Sequence, residues 1–451
     1  MVHTDQYQGK QVLVVGLAKS GYAAARLLHK LGATVIVNDG KSVDDNPQAQ
    51  ELMEQGIEVI CGSHPLSLLD RPLDFIIKNP GIPYSNELLV EAENKNIPIQ
   101  TEIELAYQIS EADIVAITGS NGKTTTTTLI TEMLKNSGRT PQIAGNIGVV
   151  ACEVAEQATM DDIIVMELSS FQLMGTDEFR PTISVLLNLF DAHLDYHGSK
   201  QNYVAAKARI QAKQEESDYL VYNDSDELVK EIAEQSAATK IGFSTTEELP
   251  HGLDVIDGFV RYRSKPIIAT SDIMLPGKHN IENILAAIGA AILAGATLTQ
   301  IQFVLKTFGG VEHRLQFVKE LNGRLIYNDS KATNILATSK ALEAFDKPVV
   351  LLAGGLDRGN SFDSLIPSLQ GVKAVITYGE TKDRIAETVR KTDVSTLEMV
   401  TTLAEAVKVA YRESSEGDVI LLSPACASWD QFKTFEERGH AFIQAINELS
   451  N

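Results

Sequence analysis

The chain has 451 residues, 44% of them hydrophobic and 22% charged; this is more than one core holds, so two to four globular domains are expected. A formal net charge of -21 excludes general affinity for nucleic acid or anionic lipid, so any phosphate must be gripped by a local site that overcomes this field. There is no apolar run of membrane-spanning length and no signal-peptide pattern, and Cys61, Cys152 and Cys426 are too scattered for a disulfide frame or a zinc cluster; a soluble protein of the reducing cytoplasm is expected.

QVLVVGL (11–17) and TVIVND (34–39) are apolar runs separated by helical spacing at 19–31, which predicts a βαβ unit and a parallel sheet. PLDFIIKNPG (72–81) reads as the third strand. The first turn, Gly16-Leu17-Ala18-Lys19-Ser20-Gly21, departs from the GxGxxG dinucleotide fingerprint, because Ala18 replaces the glycine that lets a backbone approach a pyrophosphate. That weakens a nicotinamide reading but leaves a nucleotide reading open. Asp39 ends the second run, where an acidic group can hold a ribose or a base.

ADIVAITGSNGKTT (112–125) passes from a strand through a glycine loop into a threonine-rich helix start. Its residues Gly119, Ser120, Asn121, Gly122, Lys123, Thr124 and Thr125 suit a phosphate loop: helix N-terminal N–H groups and the helix dipole attract an anion. Lys123 can neutralise phosphates and the Thr124 hydroxyl can face Mg²⁺. Ile117 stands where GxxxxGK[ST] has its first glycine, so the loop is a shortened form. DDIIVMELSS (161–170) ends in Glu167, a hard oxygen ligand suited to Mg²⁺ at the carboxyl end of a buried strand, although a helix-capping role is also open.

TISVLLNLF (182–190) and DYLVYND (218–224) continue the strand pattern, with a helix-like stretch at 200–214 between them. His193 suits a metal or substrate role as well as a structural one, and His197 is close by. Lys207, among alanines, reads by itself as a solvated helix lysine. Short alternating runs at 251–270 suggest a small antiparallel appendage, and 275–295 a loop and a long apolar helix.

GRLIYNDS (323–330), PVVLLAGG (348–355), KAVITYG (373–379) and DVILLSP (418–424) predict another doubly wound sheet. Polar loops at 328–334 and 421–439 sit at its strand ends. The expected class is α/β with three domains: a Rossmann-like domain at 1–101, a central P-loop-type ATPase domain with a mostly parallel sheet at 102–310, and a Rossmann-like domain at 311–451.

Over nearly its whole length the chain resembles the Mur ligase family, and within it the branch that adds D-glutamate. AITGSNGKTT, AGNIG (144–148), MELSSFQL (166–173), NLFDAHLDYHGS (188–199), LPGKHNIENILAA (275–287), EHRLQ (312–316), NDSKATN (328–334) and LSPACASWDQF (422–432) follow in order, the last being the most specific to that branch. The resemblance implies an ATP- and Mg²⁺-dependent amide ligase of peptidoglycan precursor synthesis. It would join D-glutamate to UDP-linked muramoyl-alanine through an acyl phosphate, as a cytoplasmic monomer with small-molecule partners only.

The resemblance also implies residue roles. Lys123, Glu167, His193 and Lys207 would be the catalytic set. Thr124, Glu167, His193 and a carbamylated Lys207 would hold two Mg²⁺ ions. Asn280 would face the adenine, Asp329 the ribose, and Arg314 and Lys331 the phosphates of ATP. Leu17, Ala18, Asp39 and Asn79 would line a uridine pocket, with Asn146 and His193 on the muramoyl-alanine arm. Thr333, Arg358, Ser428 and Phe435 would take D-glutamate. Two positions depart from the family pattern: Arg358 stands where some members carry lysine, and Trp429 where a smaller apolar residue is common. The rivals are a related ligase with another amino acid (a folylpolyglutamate-type enzyme included), a shape-changing P-loop ATPase and a nicotinamide oxidoreductase.

Overall fold

The computed structural model describes residues 1–449, apart from the side chains at 278 and 279. The chain forms two compact units, one of Met1–Asp272 with Ile281–Val304, the other of Ile273–Asn280 and the chain from Leu305 onward.

The first sheet contains β1 (Gln11–Val15), β2 (Thr34–Asp39), β3 (Glu58–Cys61), β4 (Phe75–Lys78) and β5 (Ile99–Gln100), in the order β3-β2-β1-β4-β5 and parallel throughout. Val12, Leu13, Val14 and Val15 are fully buried, which is why β1 reads as a continuous apolar run rather than an alternating one. The run at 72–81 is therefore the fourth strand, not the third. The true third, EVIC, is a half-buried edge strand too short and too polar at its start to stand out.

The second sheet contains β6 (Asp113–Thr118), β7 (Thr140–Gly145), β8 (Asp162–Glu167), β9 (Ile183–Leu186), β10 (Tyr219–Asn223), β11 (Thr239–Phe243), β12 (Leu253–Ile256), β13 (Phe259–Tyr262) and β14 (Lys265–Ala269). Its order is β14-β13-β12-β11-β10-β9-β6-β8-β7, with only β12–β13 and β13–β14 antiparallel. The expected appendage is thus an extension of the main sheet, since β12 pairs in parallel with β11. The β7 edge strand, TPQIAG, went unread because its proline and glycine imitate a turn; an edge tolerates both. One apolar core, including Val14, Leu28, Ile103, Ile109, Ala155, Ile164 and Phe179, joins the first two sheets into a single unit.

The other unit carries β15 (Gln316–Leu321), β16 (Arg324–Asn328), β17 (Val349–Gly354), β18 (Val372–Tyr378), β19 (Thr396–Met399) and β20 (Val419–Leu422), in the order β15-β16-β20-β17-β18-β19. Only β15 is antiparallel; it is the edge strand of a hairpin turning at Asn322 and Gly323, both at positive φ. Apolar clusters cover both faces of this sheet. The expected three α/β domains with mostly parallel sheets are what the chain forms. Among the described residues no helix is long and apolar enough to cross a membrane.

Candidate active site

The glycine loop leaves β6 between β8 and β9, which pair with it on either side. This register sets Glu167 at the end of β8, and Asn188 just past β9, next to the loop. Gly122 has φ +85°, and a Cβ there would lie 2.0 Å from Asn283 Oδ1, so both backbone and packing demand glycine. Helix Lys123–Leu134 then begins, its first N–H groups having no intrahelical acceptor. Lys123 Nζ donates to the carbonyls of Gly119 (2.9 Å) and Ser120 (3.1 Å). Thr124 is half-buried and Thr125 buried.

Asn188 braces this loop, a role missed in the sequence although NLFDAH was noted. Its carbonyl accepts the Ser120 N–H at 2.8 Å, and its side chain accepts the Asn121 N–H at 2.8 Å. Ser120 Oγ lies 2.8 Å from the Tyr203 hydroxyl. The available signal was a polar residue at the end of an apolar strand, the same one that singled out Glu167.

Glu167 is 1% exposed. Its Oε1 accepts Asn146 Nδ2 at 2.7 Å, while its buried Oε2 has no hydrogen-bond partner. A buried carboxylate oxygen without a donor is costly, and a hard cation resolves that cost. Ser169, not Glu167, caps the following short helix through a capping box with Gln172. Asn146, expected on the muramoyl-alanine arm, is exposed and orients Glu167.

Lys207 is not solvated: it is 2% exposed, because helix Lys200–Ala208 packs its inner face toward the glycine loop. Its amine donates to Gly119 O (2.8 Å) and Thr118 Oγ1 (3.2 Å) and lies 5.0 Å from the centre of the Tyr203 ring. Burial, reinforced by the Lys123 charge and opposed by Glu167, holds its pKa well below that of a free amine. His193 is exposed, at φ +53°, with the Phe171 ring edge-on at 5.0 Å. Its neighbour His197 is structural: it is buried, stacked on Phe171 and 2.9 Å from Ser170 Oγ, and burial lowers its pKa.

The first sheet reverses its winding between β1 and β4, so a crevice opens at their carboxyl ends, where open α/β sheets take ligands. All four uridine candidates gather at this end. Leu17 is buried in the core and Ala18 is exposed. Asp39 accepts the N–H groups of Leu17 (2.7 Å) and Lys41 (2.9 Å), so its carboxylate closes the turn. Asn79 donates to Ser20 Oγ at 2.9 Å. Gly21 is needed for packing: a Cβ there would meet the Gly16 carbonyl at 1.9 Å. Lys78, unremarked in the sequence, is fully buried at the end of β4. Its amine faces Asn79 O, Pro80 O and the Tyr196 hydroxyl, each at 3.3 Å, and burial brings its pKa down to about 7.

In the C-terminal unit the winding reverses around β20, and the loops after β16, β17 and β20 meet there. Asp329 is buried, accepting Leu315 N–H (3.1 Å) and Ser423 Oγ (2.8 Å), and burial pushes its pKa up to about 7. Arg314 is half-buried, and Lys331 lies 5.6 Å from the centre of the Phe435 ring. Asn280 is buried and donates to Pro276 O. Thr333 and Arg358 are exposed, Phe435 is half-buried and Ser428 is 2% exposed. Buried Arg438, also missed, ties down the 328–334 loop through Ser330 O (2.8 Å) and Oγ (3.0 Å).

Glu312, His313 and His440 also converge in this unit. Asn328 fixes the His313 tautomer: its Oδ1 accepts Ser330 N–H at 3.1 Å, so its Nδ2 donates to His313 Nδ1 at 2.9 Å. The ring proton then sits on Nε2, the atom facing Glu312, where a metal would need a lone pair.

Family models describe the three regions in turn: the Mur ligase MurD-like N-terminal domain at residues 10–101, the Mur ligase middle domain at 117–291, and the Mur ligase glutamate ligase domain at 313–426. The chain is 58% identical to the UDP-N-acetylmuramoylalanine--D-glutamate ligase of Halalkalibacterium halodurans over 449 residues, with all of both chains covered. It is also 58% identical to the enzyme of that name from Geobacillus kaustophilus over 450 residues, again with full coverage. The fold is similar to that of the UDP-N-acetylmuramate-alanine ligase of Thermotoga maritima, with a TM-score of 0.57 at 20% identity, covering 97% of this chain and 99% of that one. A pseudomurein peptide ligase type C from Methanothermus fervidus gives 0.54 at 18% identity, covering 98% and 100%. With its glycine loop, the Glu167 carboxylate and full-length identity of this order, the chain belongs to the Mur ligase family.

Proposed function

We infer that the protein is an ATP-dependent amide ligase that adds D-glutamate to UDP-N-acetylmuramoyl-L-alanine, giving ADP and phosphate, in peptidoglycan precursor synthesis. The observation that carries the substrate assignment is full-length identity of 58% to ligases so named. The site residues suit the chemistry of such a ligase. A carboxylate is a poor electrophile, so ATP first phosphorylates it to an acyl phosphate. The amine of D-glutamate then attacks the acyl carbon, and phosphate leaves from the tetrahedral intermediate. Lys123 and the helix N-terminus neutralise charge on the transferring phosphoryl group. Thr124 and Glu167, with His193, suit Mg²⁺, and the unpartnered Glu167 Oε2 fits such an ion. Bound there, Mg²⁺ supplies further neutralisation of phosphate charge.

Lys207 fits a carbamate. Its buried amine favours the neutral form, whose lone pair can attack CO₂ and release a proton, converting a disfavoured cation into an anion that supports a second metal site. The ATP contacts of Asn280, Arg314, Asp329 and Lys331, the UDP contacts of Leu17, Ala18, Asp39, Asn79, Asn146 and His193, and the D-glutamate contacts of Thr333, Arg358, Ser428 and Phe435 belong to the same reading. So do the domain divisions at 101 and 310, a monomeric state and a cytoplasmic location.

The test is phosphate release with ATP, Mg²⁺ and the UDP-substrate while only the amino acid is varied. D-glutamate alone should support ADP and amide formation. Release without any amino acid would favour a simple ATPase, and preference for another amino acid would favour a different ligase. Sedimentation with a dimer mass would reject the monomer.

A further inference from the structure

Arg358 and Trp429, on two different loops of the C-terminal unit, touch each other. The Arg358 guanidinium lies over the Trp429 ring, 5.0 Å from its centre. Their loops are zipped together: Leu356 N–H donates to Ala427 O at 3.0 Å, and a Cβ on Gly355 would come within 2.2 Å of the same carbonyl. The Arg358 loop is pinned from its other side. Arg384 Nη1 reaches Asp357 Oδ1 at 2.5 Å, and its Nη2 donates to the carbonyls of Gly359 (3.0 Å) and Asn360 (2.8 Å). Among the described residues Arg358 has no carboxylate partner, and Trp429 is 64% exposed, beside the buried Ser428.

A chain of net charge -21 repels a dicarboxylate and needs a local cation to hold one. Stacking occupies the face of a guanidinium and leaves its in-plane N–H fork available for bidentate carboxylate binding. A lysine ammonium is a point charge that needs no such platform, so an arginine and an adjacent aromatic residue make sense as a pair.

We propose that Trp429 is a positioning residue that fixes the Arg358 guanidinium plane for one carboxylate of the amino-acid substrate. This rests on the D-glutamate reading above. Trp429→Leu raises KM for D-glutamate about three- to tenfold, the scale of a lost cation–π contact, with kcat and the KM for ATP nearly unchanged. Trp429→Phe, which keeps a ring, restores most of the loss. Arg358→Lys costs more beside Trp429 than beside Leu, so the two changes are non-additive in KM for D-glutamate. Trp429 is the only tryptophan, so its emission reports directly on the site. With ADP and UDP-substrate present, D-glutamate shifts that emission in the wild type and not in Arg358→Ala. Additive single changes, an equal rise in all three KM values, or emission indifferent to D-glutamate each overturn the proposal. Wild-type protein that releases no phosphate in response to D-glutamate overturns the underlying reading instead.

Discussion

The side chain of Asn188 holds Asn121 at both of its backbone polar groups, accepting its N–H at 2.8 Å and donating to its carbonyl at 3.3 Å. Asn188 is buried, so truncation leaves loop groups without partners in a dry site. Asn188→Ala is expected to lower kcat/KM for ATP about ten- to hundredfold, from losing hydrogen bonds of about 1–3 kcal/mol. Steady-state kinetics with ATP varied check this; an unchanged ATP dependence would show that the loop holds its shape without the brace.

Lys123→Ala should abolish ATP-dependent turnover while leaving the circular dichroism spectrum and unfolding midpoint near those of the wild type. The amine donates to the Gly119 and Ser120 carbonyls, at the glycine loop and the start of the helix where an anion would sit, so its loss should fall on phosphate binding. A variant with near-normal turnover would remove the phosphate-loop assignment.

Lys207→Ala should be nearly inactive and partly rescued by a short carboxylic acid, which can place an anion where the carbamate would sit. Full activity of the variant, or rescue by a short amine instead, would reject the carbamate.

Lys78 gives a pH prediction. Its folded-state pKa is brought down from 10.5 to about 7 by burial. Between those values the unfolded chain holds a proton that the folded chain has lost, so the Lys78 contribution makes the wild type more stable as pH rises through this window. The burial cost is full below pH 7 and gone above about 10.5. Lys78→Met should therefore gain most over the wild type near pH 6, by a few kcal/mol at about 1.4 kcal/mol per pKa unit, and lose most of that advantage by about pH 9.5. Other shifted groups, Lys207 among them, are common to both proteins and cancel in the difference. Denaturant midpoints measured across pH check it; a difference that does not vary with pH would contradict the burial argument.

Much of the site was legible because a glycine loop, a lysine and strand-end carboxylates have local signatures. Glu167 and the 119–125 loop were recognisable from an apolar run followed by polar or glycine residues, which is the physical mark of a buried parallel strand opening into a binding crevice. Short edge strands such as Glu58–Cys61 and Thr140–Gly145 were not, since an edge needs neither full burial nor full hydrogen bonding and so imposes little pattern.

By itself the amino-acid sequence determined the succession of parallel-sheet domains, the phosphate loop and, through resemblance, the reaction class. These depend on periodicity and on contiguous residues. The tertiary structure alone decided that Lys207 is buried against Gly119, that Asn188 grips Asn121, that Lys78 faces Tyr196, and that Arg358 meets Trp429 from a loop far along the chain that the sheet order brings alongside. Burial and pairing of this kind arise where strands distant in the chain end side by side, and no local stretch of residues encodes which strands those are.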